Sequence, residues 1–257
     1  MGNKNFTLKD KKALVIGIAN ANSIAYGCAK AFKALGADLA ITYLNEKAKP
    51  HVEPLAKELE ASVFMPCDVS KVGDLEEVFA EIGRKWGRLN ISLHSIAFAP
   101  KDDLQGRLVD SSAEGFLTAV DVSCHSFIRM ARLSESLMKE GGTLFTMSYY
   151  GAHMVVEHYN LMGPIKAALE ATVRYLAAEL GPKIRVNAIS PGPIQTRAAS
   201  GLSHFDDLLN LATTKAPAKA LATIDDVGNA TAVLATEAGR LITGETIYVD
   251  GGYHIID

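Results

Sequence analysis

Two phenols and an ammonium group lie within one short segment of the chain. Tyr159 precedes Lys166 by seven residues, and Tyr149 lies ten residues before Tyr159. In a continuous helix, Tyr159 and Lys166 would share one face about two turns, or roughly 10 Å, apart. This separation excludes a direct hydrogen bond, but it would admit a cofactor between the two side chains and let the ammonium lower the pKa of the phenol through space. The alternative is an ordinary amphipathic helix, and Pro164 predicts that this helix begins nearby or is kinked.

The composition limits the classes of protein to consider. The chain has 257 residues, of which 48% are hydrophobic, enough for one large α/β domain or two small ones. The net charge of −3 argues against a nucleic-acid partner. No apolar run is long enough to cross a bilayer, and the first twelve residues are too polar for a signal peptide. The three cysteines lack metal-ligand spacing. We therefore expect no metal, no membrane association and a cytoplasmic location.

Apolar runs that are typical of buried strands alternate with helical segments along the chain. Strands are predicted at Lys12–Gly17, Asp38–Tyr43, Ser62–Met65, Ile91–Ile96, Thr143–Met147, Ile184–Ile189 and Thr246–Val249. Helices are predicted between them at Ser23–Leu35, Glu46–Glu60, Leu75–Trp86, Ala113–Met138 and Ile165–Leu180. Crossover helices of this length require a mostly parallel sheet with both faces covered. The prediction is an α/β fold, a Rossmann-like doubly wound sheet of seven parallel strands with helices on both faces, in a single domain over residues 1–257.

In such sheets, ligands bind at the carboxyl ends of the strands. After the first strand, Gly17 can make a tight turn, and the helix that starts near Ser23 and Ile24 could bind a pyrophosphate at its N-terminus. After the third strand, Asp68 and Val69 could face an adenine, although Asp68 could equally cap the next helix. The end of the fourth strand would place small side chains and backbone near the sugar, at Ser95, Ile96 and Ala97.

The end of the second strand bears on the choice of dinucleotide. An acidic residue there binds the ribose 2′-hydroxyl of NAD, and basic residues bind the 2′-phosphate of NADP. Leu44 can do neither, whereas Glu46 would repel a phosphate and Lys47 would attract one. We predict NADH as the cofactor and keep NADPH as the alternative.

Several motifs, spread over nearly the whole chain, resemble those of one enzyme superfamily. They are G-x5-S-I-A-x-G from Gly17, C-D-V from Cys67, H-S-I-A-F-A-P from His94, R-V-N-A-I-S-P-G-P-I from Arg185 and V-D-G-G from Val249. Together with Y-x6-K, they resemble the short-chain dehydrogenase/reductases, and within these the enoyl-acyl-carrier-protein reductases of bacterial type II fatty acid synthesis. Most of that superfamily has Y-x3-K for carbonyl chemistry, which is absent here because Met162 occupies the place of its tyrosine.

The resemblance implies a reaction and a role for each of these residues. The reaction is reduction of the trans-2 double bond of an enoyl thioester by NADH. Tyr159 would hydrogen-bond the thioester carbonyl, stabilise the enolate and could donate the proton. Lys166 would bind the nicotinamide ribose, and Tyr149 would support the substrate site. Ile194 and Thr196 would lie beside the nicotinamide carboxamide and the pyrophosphate.

A substrate lid is expected near residues 195–215. The residues implied to contact the substrate, apart from the two tyrosines, are Ala99, Ala199, Leu202 and Phe205. The alternative is an amphipathic helix that simply packs on the body of the protein. An acyl carrier protein is the implied partner, but Asp206 and Asp207 would repel an acidic carrier, so a coenzyme A thioester stays open.

Two other functions are alternatives to enoyl reduction. A carbonyl reductase of the same superfamily would require the absent Y-x3-K. A dinucleotide-sensing regulatory protein would have no need to retain Tyr149, Tyr159 and Lys166 together. The resemblance also implies a homotetramer, with Ala113–Met138 and Ile165–Leu180 as contact faces.

Overall fold

A computed structural model of the protein describes residues 4–196 and 205–256. Seven parallel strands form one sheet in the order β3-β2-β1-β4-β5-β6-β7. Their bounds are β1 Lys12–Ile16, β2 Asp38–Tyr43, β3 Val63–Pro66, β4 Ile91–His94, β5 Gly142–Met147, β6 Ile184–Pro191 and β7 Thr246–Val249. The predicted seven-stranded parallel sheet is confirmed.

Helices cover both faces of this sheet. They are α1 Ile24–Ala34, α2 Lys49–Glu58, α3 Asp74–Trp86, α4 Lys101–Gln105, α5 Ala113–Val120, α6 Ser126–Leu137, α7 Met162–Leu180, α8 Phe205–Lys215 and α9 Ile224–Ala235. Successive side chains of a strand point to opposite faces. Accordingly, Val15 of β1 is buried with α1, α2 and α9, while Leu14 is buried with α3, α6 and α7. Within the described ranges, no helix is long and apolar enough to span a membrane.

Helices α1 and α9 cross in close contact because each has a glycine at the crossing. A Cβ atom on Gly27 would come within 2.1 Å of the Ile224 carbonyl oxygen, and one on Gly228 within 2.3 Å of the Gly27 carbonyl oxygen. Gly27 therefore serves helix–helix contact. Helix α9 was not predicted, although Thr223 and Asp226 form a capping box at its N-terminus.

The predicted long helix Ala113–Met138 is confirmed as helical from Ala113 to Leu137, but it is not α-helical throughout. A π-helical segment, Asp121–His125, separates α5 from α6. Side-chain hydroxyls bond to backbone groups in this segment. Ser126 Oγ donates to the Val122 carbonyl oxygen (2.7 Å), and Ser123 Oγ accepts from the Phe98 N–H and donates to its carbonyl oxygen.

Helix α7 begins at Met162, three residues before the predicted start. Pro164 lies in its first turn, where the missing N–H has no intrahelical partner to lose. Tyr159 precedes the helix and lies in a turn. Tyr159 and Lys166 therefore do not share one helix, and the prediction from Pro164 that the helix begins nearby is confirmed.

Candidate active site

A cavity of about 660 Å³ opens at the carboxyl ends of the strands. Its walls include Gly17 after β1, Ser95 after β4, Ser148 after β5 and Pro191 at the end of β6. The strand order reverses between β1 and β4, so the cavity lies at the switch point, where open α/β sheets bind ligands.

Most of the predicted site residues line this cavity. They are Gly17, Ser23, Ile24, Ser95, Ile96, Ala97, Ala99, Tyr149, Tyr159, Lys166, Ile194 and Thr196. The cavity wall does not include Leu44, Asp68 or Val69. Ala199 and Leu202 lie outside the described residues, as does the side chain of Phe205. Its helix α8 nevertheless reaches the cavity through Leu208.

The turn after β1 is built for close approach of the backbone. Gly17 has φ 114°, and a Cβ atom there would lie 2.0 Å from the Ser95 carbonyl oxygen, so only glycine fits. Ser23 Oγ accepts from the backbone N–H groups of Ala19 and Asn20, at 3.0 and 3.1 Å. Because the hydroxyl of the N-cap residue Ser23 bonds to the loop and not to α1, the first N–H groups of α1 stay available to an anion.

Lys166 is a buried cation in the cavity wall. Its Nζ donates to the Met147 carbonyl oxygen at 2.7 Å. Burial lowers the pKa of the Lys166 ammonium to about 8, although the nearby Glu170 opposes this shift. The ammonium is therefore charged at neutral pH but close to its titration range.

The two phenols pack edge to face, with ring centroids 4.8 Å apart. Burial raises the pKa of both Tyr149 and Tyr159 above the ordinary tyrosine value, and Glu170 contributes at Tyr159. The expectation that Lys166 lowers the pKa of Tyr159 is therefore wrong, because desolvation of the partly buried phenol dominates. Both hydroxyls are protonated donors, and that of Tyr149 is buried with no hydrogen-bond partner among the described residues.

A strained turn holds Tyr159 in place. His158 and Asn160, on either side of it, have φ values of 63° and 41°, a region that non-glycine residues rarely adopt. Asn160 Nδ2 donates to the Leu104 carbonyl oxygen of α4 at 3.1 Å. Helix α4 also contributes to the cavity wall, through Lys101, Leu104 and Gln105.

A buried polar network fixes the end of β4, and sequence reasoning did not assign it a role. His94 bonds to Thr146 Oγ1 through Nδ1 (3.0 Å) and to Ser126 Oγ through Nε2 (2.7 Å). The Ser126 hydrogen goes to Val122, so Nε2 carries the imidazole proton and Nδ1 accepts. Burial lowers the pKa of His94 to about 3, which keeps this histidine neutral and structural.

The end of β2 lies in a separate depression. Leu44, Glu46, Lys47, Lys71 and Asp74 line it, so its charges are mixed. Asp68 does not cap α3, whose N-cap is Gly73, because its Oδ1 accepts from the backbone N–H and hydroxyl of Ser70. The alternative interpretation of Asp68 as a helix cap is wrong.

Known proteins resemble this chain over nearly its whole length. A family model described as enoyl-(acyl carrier protein) reductase matches residues 17–254. Enoyl-(acyl-carrier-protein) reductase (NADH) 1 of Rhizobium meliloti is 44% identical over 250 residues, which is 97% of this chain and 92% of that protein.

Two solved structures share the fold and much of the sequence. The Anaplasma phagocytophilum reductase in complex with NAD has a TM-score of 0.92 and 47% identity, covering 96% of this chain and 95% of that one. The Bacillus cereus reductase with NADP⁺ and indole naphthyridinone has a TM-score of 0.95 and 42% identity, covering 97% of this chain and 98% of that one. With the cavity at the switch point and its paired phenols, these likenesses show that the chain belongs to the enoyl-(acyl carrier protein) reductase family.

Proposed function

We propose that the protein reduces the trans-2 double bond of an enoyl thioester with NADH during fatty acid elongation. The observation that carries this proposal is one cavity wall with Tyr149, Tyr159 and Lys166 beside the Gly17 turn. The wall fits a dinucleotide, since it combines a glycine turn, an open helix N-terminus and a buried ammonium. When bound, NADH supplies the hydride.

Tyr159 is the proposed electrophilic residue. Hydride addition at the β-carbon places negative charge on the carbonyl oxygen of the thioester, and a hydrogen-bond donor fixed in a water-poor site stabilises that charge. Burial keeps the Tyr159 phenol protonated, so it can donate a hydrogen bond to the oxygen and then a proton. Tyr149 borders the same space and completes the substrate side of the wall.

Lys166 is proposed to hold the cofactor. An ammonium has three N–H donors, and one is directed at the Met147 carbonyl oxygen. The other two would serve the hydroxyls of the nicotinamide ribose. These hydrogen bonds would offset the unfavourable desolvation of the buried lysine.

The preference for NADH is proposed on the names of the relatives and on local charge. The Rhizobium meliloti relative is named as an NADH enzyme, while the Bacillus cereus structure contains NADP⁺. In the depression at the end of β2, the negative charges of Glu46 and Asp74 balance the positive charges of Lys47 and Lys71. The depression therefore lacks the excess of positive charge that would bind a 2′-phosphate.

The test is a turnover assay with purified protein. Crotonyl-coenzyme A is mixed with NADH or NADPH, and loss of the reduced nicotinamide absorbance is followed. We expect faster turnover with NADH. Turnover only with a 3-oxoacyl thioester would indicate a carbonyl reductase, and binding of NADH without any turnover would indicate a dinucleotide sensor.

The partners and assembly are part of the proposal. An acyl carrier protein would present the substrate, and α8, through Leu208, would act as the lid over the cavity. A homotetramer would cover apolar side chains that α5, α6 and α7 leave exposed, which are Phe116, Leu117, Ile128 and Tyr175. We place the protein in the cytoplasm, because all three cysteines are buried free thiols.

A further inference from the structure

A buried carboxylate lies behind the site, and none of the roles above uses it. Glu170, one helical turn after Lys166 on α7, has a side chain only 1% exposed. Its Oε1 accepts from the Ser148 hydroxyl at 2.5 Å, and its Oε2 from His153 Nε2 at 2.5 Å. Burying a carboxylate is unfavourable even when it is paired, so its position calls for an explanation.

These three residues connect solvent with the cavity. The side chain of His153 is 55% exposed, Glu170 is enclosed, and Ser148 lines the cavity. Every contact between them is a short hydrogen bond. An imidazole, a carboxyl group and a hydroxyl can each take up a proton on one side and release one on another.

The proposed reaction needs such a connection. Enoyl thioester, NADH and one proton give acyl thioester and NAD⁺, so each turnover consumes a proton. Tyr159 would supply it, but Tyr159 is partly buried, packs against Tyr149 and lines a cavity that the cofactor and substrate would fill. The proton that leaves its phenol must therefore be replaced from solvent before the next turnover.

We propose that His153, Glu170 and Ser148 form a relay that returns a proton from solvent to the cavity after each turnover. His153 takes a proton at Nδ1 and gives the one on Nε2 to Glu170 Oε2, and the half-exposed ring then turns to present its protonated nitrogen to Glu170 again. The carboxyl group turns about its terminal torsion, which is broad and two-fold, and then donates to Ser148 Oγ. The hydrogen of Ser148 passes to the Tyr159 phenolate through a solvent molecule in the cavity that both side chains line.

Because the relay rests on the proposed function, its test separates first from later turnovers. Protein is rapidly mixed with NADH and crotonyl-coenzyme A, and nicotinamide absorbance is recorded. The first turnover uses a proton that Tyr159 already carries. With NADH saturating, Glu170→Gln should therefore keep the wild-type first turnover, one NADH per site, and slow later turnovers at least about tenfold. The matched control is Glu179→Gln, an exposed glutamate on the same helix, which should match the wild type in both phases.

A second variant changes the solvent end of the relay, where the side chain is half exposed. His153→Ala should show the same slow later turnovers, and added imidazole should restore them, because a small acid can then protonate Glu170 directly. The matched control is His51→Ala, an exposed histidine on α2, which should be unaffected by imidazole.

The outcomes decide between a relay and a structural role. Equal slowing of first and later turnovers in Glu170→Gln would mean that Glu170 only holds the wall in place, and would overturn the relay. Wild-type kinetics in His153→Ala, or a loss that imidazole does not restore, would also overturn it. Failure of the wild-type protein to oxidise NADH with crotonyl-coenzyme A would instead overturn the proposed function.

Discussion

Tyr149 and Tyr159 share a cavity wall but differ in what holds them. The turn between His158 and Asn160 fixes Tyr159 in a strained backbone, and strain of this kind persists where the surrounding structure over-determines it. Tyr149 lies two residues after the end of β5 and has a buried hydroxyl without a partner among the described residues. The two phenols are therefore expected to differ in their contributions to rate and to stability.

Replacing each phenol by phenylalanine tests this difference. Tyr159→Phe should lower kcat/KM about a hundredfold, because its hydrogen bond forms with the charge of the transition state. Tyr149→Phe should lose about tenfold or less and should not lower the free energy of unfolding, because an unsatisfied buried hydroxyl is removed. Steady-state kinetics and denaturant unfolding measure both. Equal kinetic losses would contradict the assignment of roles.

The charge of Lys166 predicts how cofactor binding depends on pH. Its pKa is lowered to about 8 by burial, so the ammonium loses its proton as the pH rises through about 8. The dissociation constant of NADH, measured by fluorescence titration between pH 7 and 9, should rise across this range. Lys166→Met should bind NADH weakly throughout and lack this step.

The contribution of Lys166 to the free energy of unfolding should increase with pH, whereas NADH binding should weaken. An unfolded lysine keeps its proton up to the ordinary value of 10.5. Between about pH 8 and 10.5 the unfolded state therefore binds more protons, and the contribution of Lys166 to stability rises with pH. Weaker NADH binding that merely reflected alkaline unfolding would also appear in Lys166→Met.

At the scale of elements, the contact between α1 and α9 depends on its glycines. Gly27→Ala should reduce the free energy of unfolding by at least about 2 kcal/mol, because the new methyl group meets the backbone of α9. Gly83→Ala in α3 is the matched control. Its Cβ atom would meet only a Leu137 methyl group at 3.7 Å, so the better helix former should stabilise by about 0.5–1 kcal/mol. Equal effects in chemical denaturation would contradict this account.

Helix α8 carries the charge that bears on the carrier. Reversing Asp206 and Asp207 to lysine should improve the use of a carrier-linked substrate relative to crotonyl-coenzyme A, because an acidic carrier would then be attracted. The ratio of the two kcat/KM values at low salt measures this, and high salt should abolish the gain. An unchanged ratio would show that the charge of α8 does not select the carrier.

The sheet could be predicted from the sequence because its central strands are buried on both faces and form apolar runs. The turn at Gly17 could also be predicted, because a glycine directly after a strand is typical of a tight turn with positive φ. The π-helical segment could not, because side-chain hydroxyls and not hydrophobic spacing create it. Pro164 indicated that the helix begins near Tyr159 but not on which side of it. The role of Glu170 could not be predicted, because its place in the sequence does not differ from that of other glutamates in helices.

The whole molecule leaves an apolar surface on α5, α6 and α7. Leu117 and Tyr175 are 68% and 79% exposed, and a second copy of the chain would remove them from water. Leu117→Glu and Tyr175→Glu should therefore shift the tetramer that we expect toward smaller species in sedimentation equilibrium. Val72→Glu, at an exposed position before α3, should leave the mass unchanged. A wild-type monomer would contradict the proposed assembly.

The π-helical segment Asp121–His125 makes the number of residues in this helix critical. It acts as one extra residue in an otherwise α-helical rod, and each residue turns such a rod by about 100°. Deleting one residue there would restore a regular helix but rotate Ser123 away from Phe98 or Ser126 away from His94. In this protein, loops can gain or lose residues more safely than this helix, and an alignment that closes a gap here would pair residues on different faces.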